Sequence, residues 1–116
     1  MRSPLSAMFI LLALSSSASA MTVQEFVTRG EALKAKGLLA LFSGDFDVLG
    51  TEVRPAAKAW RVQVGTARPP VCAPPKVTLQ PEDVLNLLKQ VPPAERANID
   101  VTTAFIREMN ARYRCK

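Results

Sequence analysis

The chain has 116 residues, with 15 Lys and Arg against 10 Asp and Glu, no histidine and two cysteines. A chain of this length builds one small domain with a modest core. The missing histidine removes the commonest general base and metal ligand, and interspersed charges with few aromatics are not a nucleic-acid footprint.

Read in order, the chain begins with a leader. Arg2 is positive, Met8 to Leu14 is a short apolar run, and Ala18-Ser19-Ala20 is a small-residue cleavage site. Residues 1–20 therefore read as a cleaved secretory signal peptide, too short in its apolar part to span a bilayer. Residues 21–116 are the domain, and no later stretch could cross a membrane, so no membrane insertion is expected.

Thr22 and Glu25 make a capping-box pattern ahead of Val23, Phe26, Val27, Gly30 and Leu33, which share one helical face. Lys34 and Lys36 suit the end of this helix, and Gly37 follows it. Leu38 to Phe42 is an apolar connector expected to lie across the core. Ser43 can cap the next helix, with Asp45 and Asp47 in its first turn. Phe46, Leu49, Val53, Ala56, Ala57, Trp60 and Val64 continue as one stripe. Pro55 falls on the opposite face, which predicts one kinked helix ended by Gly65.

Gly65 to Thr78 is a stiff loop with four prolines around Cys72. Pro81 suits the first position of a third helix, with Glu82 and Asp83 in its first turn and Val84, Leu85, Leu87 and Leu88 as its apolar side. Pro92-Pro93 ends it, and Ala94 to Ile99 is a turn. The last helix starts with Asp100 as its cap. Val101, Phe105, Met109 and Tyr113 recur every fourth residue, Ile106 widens their face, and Thr103, Arg107, Asn110 and Arg114 lie opposite. This helix is expected to run to Cys115. No segment alternates as a strand does. The fold is read as all-α: four helices, or five if Ala94–Ile99 closes a helical turn.

Two cysteines in an exported chain read as one disulfide, Cys72–Cys115, worth roughly 4 kcal/mol by loop-closure entropy. With the leader removed, Ser43 is the remaining serine, and it has a capping task. The carboxylate pairs Asp45/Asp47 and Glu82/Asp83 read as helix-start charges. There is no zinc spacing and no phosphate loop, so no metal, cofactor or catalytic residue is assigned. Arg112 projects within the apolar face of the last helix. It either snorkels while paired with Glu108 or reaches into a partner-facing groove. Trp60 reads as core, or as an interface anchor.

Blocks along residues 21–116 carry a family likeness. They are Met21-Thr22-Val23 with Glu25-Phe26, Ala32 to Gly37, Ala40 to Ser43, and Ala57-Lys58-Ala59-Trp60-Arg61. Pro70-Val71-Cys72 with Pro74, Val101 to Phe105, and Arg112-Tyr113-Arg114-Cys115 complete the set. In this order the chain resembles the Rap/Tai immunity proteins, which protect bacteria against peptidoglycan amidases delivered by type VI secretion. Pro55 and Arg114 depart from the pattern. The resemblance implies an all-α periplasmic protein, often a homodimer, that binds a cognate amidase effector and plugs its Cys–His cleft.

For such a partner, exposed residues of the central loop and of the turn before the last helix are the contact candidates: Arg68, Lys76, Arg96 and Asn98. Two other readings stand beside the inhibitor. A small periplasmic stress chaperone would share the size, export and single bridge. A peptidoglycan-associated envelope protein would use the basic chain against acidic stem peptides.

Overall fold

The computed structural model describes residues 20–37 and 44–116; the expected signal peptide, the Leu38–Phe42 connector and the Ser43 cap lie outside them. Among the described residues, α-helices and a 3-10 turn form an all-α domain: α1 Val23–Lys36, α2 Gly44–Gln63 continued by the 3-10 turn Val64–Thr66, α3 Pro81–Leu88 and α4 Val101–Arg112.

Helix α1 begins where Thr22 Oγ1 accepts from the Glu25 N–H at 3.1 Å, while the Glu25 carboxylate pairs with Arg29 one turn on. It ends at Gly37, whose φ of 62° places it where a side chain is strained. In α2, Leu49, Ala56 and Trp60 are buried, and Pro55 sits exposed on the far side of an unbroken helix. Helix α3 starts with Pro81 at its first position, and Asp83 Oδ2 accepts from the Gln80 N–H at 2.9 Å. That bond satisfies a donor the helix itself cannot use.

The core runs between α2 and α4, the most extensively packed pair. Trp60, Phe105, Leu88, Met109, Val23, Val91 and Val101 are its largest fully enclosed side chains. Helix α3 closes one side. Gly30 lets α1 approach it so nearly that a methyl group there would lie 2.7 Å from Leu85 Cδ1.

Two details differ from the sequence reading. Asp100 occupies the position before α4, yet its carboxylate caps nothing. The segment entering α4 runs antiparallel to the segment entering α1 through a Thr22–Asp100 bridge, and main chain meets the first N–H of α4 and the first two of α1. Val101 N–H donates to the Met21 carbonyl, Val23 N–H to Ile99 and Gln24 N–H to Arg96, each at 2.9 Å. Helix α4 stops at Arg112 rather than Cys115, because Arg114 leaves the helix to pair with Val71. Ala94–Ile99 folds as the expected turn, closed by Glu95 N–H to Pro92 O and Asn98 N–H to Glu95 O, and the alternative fifth helix does not form there.

Candidate binding surface

The loop between α2 and α3 is extended because proline after proline denies it helical hydrogen bonds. Its centre is fastened to the end of α4. Cys72 N–H donates to the Tyr113 carbonyl at 2.7 Å, Cys115 N–H donates to the Pro70 carbonyl at 3.1 Å, and the Cys72–Cys115 disulfide closes the same point, with Cα atoms 4.9 Å apart. Beyond that clamp the loop presents Arg68, Pro69, Pro70, Pro74, Pro75 and Lys76 to solvent. Val71, Val77 and Leu79 turn inward against the core. The loop is thus fastened at its centre and lies along the core, with these side chains open to solvent.

The four candidate residues do not share one role. Arg68 is exposed, with its guanidinium donating to the neighbouring Ala67 carbonyl at 2.9 Å, and Lys76 is exposed further along the loop. Asn98 is exposed in the turn before α4. Arg96, half-buried, is tied into the fold: Nε donates to Val91 O at 2.9 Å and Nη2 to Lys89 O at 2.8 Å. It satisfies carbonyls left open where α3 ends, the usual task of a cation at a helix C-terminus.

Below the clamp, α2 and α4 meet through a polar contact inside the apolar stripe. Trp60 Nε1 donates to Asn110 Oδ1 at 2.8 Å. Trp60 is core, and its ring lies 6.1 Å from that of Tyr113. Asn110, expected on the outer side, is the partner that makes burial of the indole N–H affordable. Arg61 sits over the Trp60 ring at 5.3 Å, and Arg112 over the Tyr113 ring at 5.8 Å. The ion pair expected between Arg112 and Glu108 is not made, since Glu108 accepts from Arg107 at 3.1 Å. Arg107 also grips Glu95 through both terminal nitrogens, at 2.6 and 3.3 Å.

These contacts set the few shifted ionisations. The hydrogen bond from Arg107 holds the Glu95 carboxyl below the ordinary carboxylate range, and the same bond raises Arg107. The hydrogen bond from Lys89 lowers Glu31 in the same way. Among the described residues no group of three or more His, Cys, Asp or Glu could hold a metal. No helix among them is long and apolar enough to cross a membrane. The disulfide is compatible with an extracytoplasmic protein.

An apolar groove of about 620 Å³ opens between α1, α2 and α3, walled by Phe26, Leu33, Leu49, Val53, Leu79 and Leu85. Lys34, paired with Glu82 at 3.3 Å, stands at its edge. The sequence periodicity placed all of these but Leu79 on inward faces and gave no sign that three such faces leave a space between them.

Comparison with protein-family models, curated proteins and solved structures gives no match. The resemblance to the Rap/Tai immunity proteins rests on the sequence blocks alone.

Proposed function

We propose that this chain is a periplasmic immunity-type protein, exported by its leader, that binds a peptidoglycan amidase effector of a type VI secretion system and blocks its active-site cleft. The observation that carries the reading is the proline-rich loop held rigidly at Cys72 by a disulfide and two backbone hydrogen bonds. A blocker works by shape and requires no reactive group of its own. A segment already stiff in the free protein loses little conformational entropy on docking. Arg68, Lys76 and Asn98 are the proposed contacts beside the loop prolines. Arg96 contributes by holding the turn that presents Asn98.

The test is an inhibition titration of papain-like murein amidases with the oxidised protein. Stoichiometric loss of peptidoglycan hydrolysis with one enzyme supports the reading. A variant with Pro74-Pro75-Lys76 replaced by Gly-Ser-Gly should keep its helical circular dichroism and lose inhibition. Undiminished hydrolysis across the enzymes encoded beside this gene would dispose of the proposal.

The apolar groove favours one alternative, a small periplasmic chaperone that binds exposed apolar segments. Such a protein should suppress aggregation of unfolded clients and expose further apolar surface to ANS on acidification. A flat ANS signal from neutral to low pH would argue against it.

A further inference from the structure

The acidic residues are spent unevenly over the surface. Glu25 and Asp45 face Arg29, Glu31 faces Lys89, Glu82 faces Lys34, and Glu95 and Glu108 face Arg107. These pairs lie on α1, α3 and the turn after it, the start of α2 and the middle of α4. The second half of α2, the last residue of α4 and the segment just after it carry Arg54, Lys58, Arg61, Arg112 and Arg114, all exposed. Among the described residues none of these five has an acidic partner. Glu108, one turn before Arg112 on α4, is taken by Arg107.

Three of them, Arg61, Arg112 and Arg114, sit at one structural joint. Trp60 and Tyr113 bring the two helices together with their rings 6.1 Å apart, and each ring carries the guanidinium of a neighbouring arginine. Arg114 follows directly, fixed by the bridge to Val71. A guanidinium resting on an aromatic face is partly immobilised and keeps its planar fork of donors free. Such forks match carboxylates in bidentate geometry.

We propose that this α2–α4 joint, centred on Arg61, Arg112 and Arg114, is a docking face for a carboxylate-rich protein surface. The charge complementarity is specific in kind. Nucleic acid would need aromatic faces open for base stacking, whereas Trp60 is 1% exposed and Tyr113 is half-buried. A bilayer would need apolar side chains to insert beside the cations, and among the described residues the exposed large apolar side chains are Val48 and Val62, singly placed on α2. The inference goes beyond the inhibitor reading: it concerns the acidity of a partner's surface and holds whether or not that partner is an amidase.

The oxidised protein is titrated with a 20-residue polyglutamate peptide at low and physiological salt, followed by the fluorescence of Trp60 and by calorimetry. Phosphatidylglycerol vesicles and a single-stranded oligonucleotide serve as the other probes. R61E/R112E/R114E should raise the polyglutamate dissociation constant at least tenfold. The charge-matched K34E/K36E/K89E should change it less than threefold. If the first variant fails to fold by circular dichroism, R61Q/R112Q/R114Q takes its place, with at least a fourfold weakening expected. Equal weakening by both sets would reduce the effect to net charge and overturn the proposal. So would an absence of polyglutamate binding, or tighter binding of vesicles or oligonucleotide than of the peptide. No amidase enters the experiment, so its failure is separate from failure of the inhibition titration.

Discussion

Removing the disulfide offers a quantitative test of how the loop is held. The perturbation is the double substitution C72A/C115A, which leaves no unpaired thiol. The bridged residues are 43 apart in sequence. Loop-closure entropy for a ring of that size corresponds to about 4 kcal/mol of stability, acting through the unfolded chain. A domain of this size has a total stability of roughly 5–15 kcal/mol. With a urea dependence of about 1–1.5 kcal/mol per molar, the unfolding midpoint should fall by roughly 3 M. The fold should survive at low denaturant, because the Cys72–Tyr113 and Cys115–Pro70 backbone bonds and the Val71 contacts do not depend on sulfur. Native-state emission of Trp60 should stay unchanged, since Tyr113 is still held by its N–H bond to Met109 O at 3.0 Å. Equilibrium urea unfolding, read by circular dichroism and tryptophan fluorescence together, measures the loss. A double variant within 1 kcal/mol of the parent, with an unchanged urea slope, would refute the account of the bridge as a stabiliser.

Other substitutions probe single contacts. N110A leaves the buried Trp60 N–H without its acceptor and should destabilise by about 1–3 kcal/mol, measured by thermal unfolding. An unaltered melting temperature would mean that water replaces the amide. G37A places a methyl group where φ is 62° and no other atom lies within 4 Å, so its cost, about 1–3 kcal/mol, is purely one of backbone conformation. R96A removes two donors from the carbonyls of Val91 and Lys89 and should lower stability by about 1–3 kcal/mol before any partner is added. A variant as stable as the parent would return Arg96 to a purely external role.

The lowered ionisation of Glu95 has a defined sign. Its folded carboxyl sits below the ordinary value of 4.5, so its contribution is present above that pH and is lost as pH falls through the folded value. E95Q should therefore flatten part of the acid side of the stability profile while leaving the neutral region little changed, as expected for an exposed pair. An acid limb identical in parent and variant would show that other carboxylates control it.

Local chemistry made much of the helical frame legible from sequence. Thr22 with Glu25, Gly37, and Pro81 with its acidic followers mark ends because the unsatisfied groups of a helix terminus demand particular neighbours. The stripes through Leu49, Ala56 and Trp60, and through Val101, Phe105 and Met109, fix which faces turn inward, because helical spacing alone stacks them. The single disulfide was readable from the two cysteines together with a leader-like start to the sequence.

Tertiary structure decided what depends on distant segments meeting. The first N–H of α4, on Val101, is met by Met21 O because the segment entering α1 lies alongside, and Asp100 joins that pairing through its backbone. Asn110 turns inward because Trp60, fifty residues away, needs an acceptor. Glu95 claims Arg107, Arg96 is drawn into the turn after α3, and α4 ends early because Arg114 pairs with Val71. The arginines over Trp60 and Tyr113 become one face only when α2 and α4 cross. Helix periodicity reports which side of an element is apolar; it carries no information about which partner arrives at that side, and the chemistry of the binding surface is set by that arrival.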